Sequence, residues 1–169
     1  MRRRLVSALA MTALATFISP TITADNRDRR PAPIDFIGVF HPVFAGAAVD
    51  PQRCPDPSHP FLFRFTGEAY TTLGHATFEQ SHCEALDHGS FRRGEQTITF
   101  DNGDLLYGAY SGELLVTPTT ATDGRVIADG IYRNRGGTGR LQHAHGRGIS
   151  MGVVDTTTGA AEITVSGTL

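Results

Sequence analysis

Gln96-Thr97-Ile98-Thr99-Phe100, then Asp101-Asn102-Gly103-Asp104, then Leu105-Leu106-Tyr107-Gly108-Ala109-Tyr110-Ser111-Gly112 is the stretch on which the fold turns. Two β-rich runs flank an Asn-Gly pair, and the second continues to Val116. Asn-Gly in that setting is the strongest short-range hairpin signal, because both central residues of a type I′ turn need positive φ. Gly108 and Gly112 share one parity in mid-strand, where glycine ordinarily weakens a strand. Gly146, Gly148 and Gly152 repeat the pattern further on. Repeated glycines of that kind relieve crowding where strongly coiled strands close on themselves. The expectation is an all-β chain forming a single small antiparallel β-barrel of about eight strands rather than a sandwich.

The rest of the chain agrees. Phe61, Phe63, Phe65, Gly67 and Ala69 alternate with Arg64, Thr66 and Glu68, which is a half-buried strand. Gly74 bends or ends it, and a second run reaches His82. Asp35 to Phe40, Val126 to Tyr132, Leu141 to Val154 and Ala160 to Val165 supply further strands. Turns are expected at Asp123-Gly124 and Thr158-Gly159. Asp50 to Pro60 carries four prolines and Cys54, so it reads as a loop. No stretch beyond the first residues sustains a helical period.

Those first residues read as a secretory signal peptide over 1-24. Arg2-Arg3-Arg4 precedes a short apolar run from Leu5 to Ile18, which Ser19-Pro20 ends, with cleavage expected after Ala24. The run is too short for a bilayer span of roughly 20 residues, and no polar residue or Phe-Leu pair completes a twin-arginine signal. A secreted or periplasmic product follows, with a charged, proline-bearing leader over 25-33 and the barrel over 34-169. Three arginines and no acidic residue precede the cut, so the exported chain carries a net charge of -5 against -2 for the whole sequence. A mildly acidic chain without a basic stripe argues against nucleic acid or anionic membrane as partner. Cys54 and Cys83 read as one disulfide in an oxidising compartment. Two free thiols, or a metal shared with the adjoining His82, are the alternatives. The spacing matches no zinc signature, and no metal or cofactor is expected.

Phe100 to Gly108, then Gly136-Gly137-Thr138-Gly139-Arg140-Leu141, Ala144-His145-Gly146-Arg147-Gly148 and the closing Gly167-Thr168-Leu169 resemble the bacterial members of the allene oxide cyclase barrel and dirigent-like superfamily. The resemblance covers Phe61 to Leu169. It implies an eight-stranded antiparallel barrel with an apolar cavity, and a homodimer or homotrimer. It also implies activities such as cyclisation of reactive epoxides or steering of radical coupling. No catalytic residue of the plant enzymes maps onto this chain. Where bacterial relatives carry small residues, this chain has His143, His145 and Arg147.

Those three side chains share parity with Ile149, Met151 and Val153 on one presumed strand, opposite a row of small residues. If the larger residues point inward, His143, His145, Arg147 and Met151 line a cavity whose polar end holds the acidic part of a small apolar ligand. If they point outward, they meet water or a neighbouring strand. Both readings stay open on sequence alone. Gly148-Ile149-Ser150-Met151-Gly152 matches a hydrolase elbow in letters only, since no helix follows. His75, His82 and His88 with Cys83 are too irregularly spaced for a metal site. Tyr107 and Tyr110 fall on opposite faces of one strand. Phe61, Phe63 and Phe65 read as core rather than as a ligand box. Three functions follow: a barrel that binds or steers an apolar small molecule, a cyclase or isomerase, and a structural protein with a filled barrel. The interior decides between them.

Overall fold

The structure, a computed structural model, describes residues 33–116 and 123–169. The expected signal peptide and all but the last residue of the expected leader lie outside the described residues. Eight strands run β1 (Asp35–Val49), β2 (Phe61–Thr71), β3 (Gly74–Glu84), β4 (Ser90–Phe100), β5 (Leu105–Leu115), β6 (Arg125–Gly137), β7 (His145–Asp155) and β8 (Ala161–Thr168). Each pairs antiparallel with its sequence neighbour, and β1 pairs with β8, so the sheet is a closed barrel. The only helical turn among the described residues is a short 3-10 segment, Gly139–Leu141.

Alternation sets the inside. Phe36, Gly38 and Phe40 of β1, Ala69 of β2, Ala76 and Phe78 of β3, and Ile98 and Phe100 of β4 are buried while their neighbours face outward. With Leu106, Tyr132, Leu141 and Val165 they form one core. That core fills the middle of the barrel and the end carrying the β2–β3, β4–β5 and β6–β7 connections. We call it the closed end. Gly108 and Gly112 of β5 lie on its inner side, as their parity requires.

Three local expectations change. The Asn102-Gly103 connection is a hairpin, but only Gly103 has positive φ, at 85°. The Gly103 N–H reaches the Phe100 carbonyl at 2.8 Å and the Phe100 N–H reaches the Asp104 carbonyl at 3.0 Å. This is a turn followed by one left-handed glycine rather than a type I′ turn. The strand expected from Leu141 begins only at His145, because Leu141 closes the 3-10 turn and His143 lies in the bend after it. β1 and β4 run longer than their apolar runs suggest.

Of the two orientations left open for β7, the structure has the outward one, against the reading in which His143, His145, Arg147 and Met151 line a cavity. His145, Arg147, Ile149, Met151 and Val153 face outward, and Gly146, Gly148, Ser150 and Gly152 face inward. The reason is that neighbouring strands lay their side chains across the inner face of β7. A Cβ on Gly148 or on Gly167 of β8 would sit 2.6 Å from the Tyr132 hydroxyl, and one on Gly152 would sit 2.7 Å from Cδ1 of Ile163. The space that bulky β7 residues would need is already occupied.

Candidate functional site

The opposite, open end is built differently. β1 stays paired with β8 only from Asp35↔Thr168 to Phe40↔Ile163, with one further bridge at Val43↔Ala160. Its pairing with β2 runs on to Val49↔Phe61, past a bulge between Phe44 and Gly46. The Val43↔Ala160 bridge keeps the register of that ladder and the Phe44 N–H reaches the Gly159 carbonyl at 3.3 Å, so the seam holds to the end of β8. β1 then runs on past β8 beside β2, and the inward-facing side chains at this end remain partly accessible. Phe44 is 42% exposed, and Phe61, Phe63 and Phe65 are half-buried. The rings form a contiguous wall: Phe44 lies 5.6 Å from Phe63 and 5.8 Å from Phe65, centroid to centroid. The inner parity expected of Phe61, Phe63 and Phe65 is correct, but they line an opening rather than a sealed core.

Polar groups sit behind this wall. Phe63 pairs across the ladder with His82, and Phe61 with Glu84. A bulge in the β3–β4 ladder between Ser81 and Cys83 leaves His82 without a partner on β4. Its ring turns inward and stacks on Phe91 at 4.9 Å, with Phe65 at 5.3 Å. Glu84 is only 5% exposed and its two oxygens are both used. Oε2 lies 3.2 Å from Nε2 of His82, and Oε1 lies 2.6 Å from Nδ1 of His88. The Tyr110 hydroxyl lies 3.1 Å from Nδ1 of His82. As a carboxylate Glu84 only accepts, so Nε2 of His82 donates to it and Nδ1 accepts from Tyr110. Burial pushes the Tyr110 phenol far above its ordinary range, partly countered by the charge of Arg53. A chain Tyr110–His82–Glu84–His88 thus runs from the barrel interior to the rim, where the His88 ring is exposed.

The loop expected from Asp50 to Pro60 braces the rim from outside. Cys54 and Cys83 are bonded, with Cα atoms 5.5 Å apart, and Leu62 packs on the bridge. His59, buried, reaches Ser90 Oγ at 3.0 Å, and the Leu86 N–H bonds the Ser58 carbonyl at 3.3 Å. The Ser58 hydroxyl and N–H hold the Asp56 carboxyl below the usual carboxylate range. The Arg53 guanidinium bonds the Arg93 carbonyl and pairs with Glu95 at 3.3 Å. The loop is therefore fastened to the β3–β4 turn that carries His88.

The residues singled out on sequence fall elsewhere. His145 and Arg147 come together with Arg133 and Arg135 around a shallow depression of about 700 Å3 on the outer face of β6 and β7. His143 lies exposed in the preceding bend and Met151 further along the outer face. None of the four lines the interior. His82, Glu84, His88 and Tyr110 were the residues to find. Their signal was present: His82 and Glu84 share the inward parity of Ala76, Phe78 and Gln80. Tyr110 shares that of Gly108 and Gly112, and Tyr107 faces the other way. Among the described residues no group of histidine, cysteine and carboxylate side chains is placed to hold a metal, and no helix is long and apolar enough to cross a membrane. Comparison with protein-family models, with curated proteins and with solved structures gave no match.

Proposed function

We propose that this barrel takes a ring-bearing, apolar small molecule into its open end and holds or steers it there. The observation that carries this reading is the end of the barrel where β1 and β2 run on past β8, with its four accessible inward-facing phenylalanines. A barrel serving only as a scaffold gains nothing from leaving such rings wet, since each buried aromatic contributes stability in proportion to the area removed from water. The polar chain behind the wall offers one hydroxyl and two imidazoles to orient a ligand that is otherwise apolar. The closed eight-stranded architecture supports the resemblance to the allene oxide cyclase barrel and dirigent-like superfamily. The disulfide supports export to an oxidising compartment, as the basic-then-apolar opening residues do.

Catalysis by a cyclase or isomerase is the second reading, and the Tyr110–His82–Glu84 geometry favours it. A phenol bonded to an imidazole that is itself held by a buried carboxylate can pass a proton to and from a ligand. Titration of the oxidised protein with the neutral dye N-phenylnaphthylamine tests the binding site. Fluorescence enhancement is expected, with affinity roughly tenfold weaker, or about 1.4 kcal/mol, in Phe63→Ala and in Phe65→Ala. Absence of binding, or wild-type affinity in both variants, removes the reading. Glu84→Gln separates the two functions. A binder keeps its affinity for the dye and its handling of ligand, whereas an enzyme keeps dye affinity but loses turnover of a reactive epoxide.

A further inference from the structure

The outer face of β5, β6 and β7 presents an unusual order of charges. Ile131 and Ile149 sit directly across from each other in the β6–β7 ladder, 56% and 57% exposed, with Met151 beside them at 55%. Two residues along in one direction, Arg133 lies directly across from Arg147, and Arg135 follows across from His145. Two residues along in the other, Glu113 of β5 lies directly across from Asp129 of β6. Like charges directly opposite in a ladder destabilise it. None of Arg133, Arg135, Arg147, Glu113 and Asp129 makes an ion pair among the described residues. Arg92 lines the acidic side of the face without reaching ion-pair distance of either carboxylate. The face thus has a basic end, an apolar middle and an acidic end. A depression of about 700 Å3 lies on the basic side and one of about 350 Å3 on the acidic side.

We infer that this face is the interface of a two-fold homodimer. A two-fold axis lying in the interface, across the strands at the Ile131–Ile149 row, stacks that row on its own copy and reverses the strand direction. Arg133 of each copy then meets Asp129 and Glu113 of the other, so each like-charged pair supplies the counter-charges of its opposite number. Self-complementarity of this kind is what an isologous contact requires. The occupant is a second copy of this chain rather than a lipid surface, because Glu113 and Asp129 would repel anionic headgroups beside an apolar centre this small.

The geometry makes a reciprocal test available. Sedimentation equilibrium of the full chain at low ionic strength should give the dimer mass, with the dissociation constant rising with salt. Arg133→Asp sets Asp against Asp129 of the other copy, and Asp129→Arg sets Arg against its Arg133. Each variant alone should dimerise at least roughly tenfold more weakly, with far-ultraviolet circular dichroism and thermal midpoint unchanged. An equimolar mixture of the two should regain the dimer mass, because both contacts between positions 129 and 133 are then between opposite charges. Ile149→Asp should weaken the dimer in any mixture. A monomer for the wild-type chain at tens of micromolar overturns the inference, as does a trimer. Single variants that dimerise like wild type, or a mixture that does not recover, overturn it too. Should either charge variant fail to fold, the salt dependence and Ile149→Gln carry the test in its place.

Discussion

The two ends of this barrel are made from the same inside-outside alternation and finish in opposite ways. At the closed end one ladder carries a bulge, between Leu106 and Gly108, while Phe36, Ile98 and Leu106 are almost wholly buried and the β6–β7 connection folds Leu141 over the interior. Thr138 Oγ1 accepts the Leu105 N–H at 2.9 Å, and Arg140 donates to Asp104 at 3.0 Å, which ties that connection to the β4–β5 hairpin. At the open end β1 runs on past β8, three ladders carry bulges, and a disulfide-held loop braces the rim. The two non-glycine residues with left-handed φ among the described residues are here, His88 at 55° and Arg93 at 52°. Each such residue costs of order 1 kcal/mol. Stability is concentrated at one end, and strain, accessible rings and titratable side chains at the other, as a binding site built on a rigid support requires.

The sharpest way to break this comparison is to empty each end in turn. Phe36→Ala, which removes a ring 1% exposed and packed edge-on against Tyr132, should cost about 3–5 kcal/mol. Phe63→Ala removes a ring of the same size that water already reaches, and should cost less than half of that. Urea denaturation of both variants measures the difference, and equal losses would show that the open end is as tightly packed as the closed one. The disulfide comes next. Cys83→Ser with Cys54→Ser should cost about 3 kcal/mol on the chain-entropy argument for a loop of this length. The loss should be local as well as global: amide exchange should quicken in the β3–β4 turn and at His88 before it quickens at Ile98. Uniform acceleration would mean that the bridge supports the whole barrel rather than its rim.

How far the sequence foretold each end follows from what alternation can carry. The closed barrel was legible because mid-strand glycines have few other uses, and the disulfide because two cysteines behind an expected export signal make one bridge the simplest account. The orientation of β7 was not. A row of Gly146, Gly148 and Gly152 against a row of Arg147, Ile149 and Met151 fits either face as the inner one. The choice is made by Tyr132 and Ile163, which reach in from β6 and β8 and fill the space first. Such a decision lives in tertiary packing, not in the strand's own pattern. The site at the open end was half legible. Phe61, Phe63 and Phe65 have the correct parity, but the bulge that frees His82 from its ladder and the length of β1 beyond β8 have no short-range signature.

The smallest predicted effect sharpens the comparison where the two ends meet, at Tyr110 and Tyr132, which lie directly across from each other in the β5–β6 ladder. Tyr132, part of the core, has a buried hydroxyl with no hydrogen-bond partner among the described residues, and burial pushes its phenol up to about 12. Tyr110 is also shifted upward by burial but donates to His82 of the open end. An unfolded tyrosine titrates near 10, so above that pH the unfolded chain gives up protons that the folded chain retains. Stability is therefore fully present below pH 10 and falls as pH rises beyond it, by at most about 1.4 kcal/mol per pH unit for each tyrosine. Thermal midpoints between pH 8 and pH 11.5 should be flat and then decline. Tyr132→Phe should flatten part of that decline and be neutral or slightly stabilising at pH 8, since it deletes a hydroxyl that has no partner to lose. Tyr110→Phe should flatten it too, yet cost about 1 kcal/mol at pH 8, because Nδ1 of His82 is left without its donor. If the two variants behave alike at pH 8, the Tyr110–His82 hydrogen bond contributes nothing, and the polar chain of the open end begins at His82 instead.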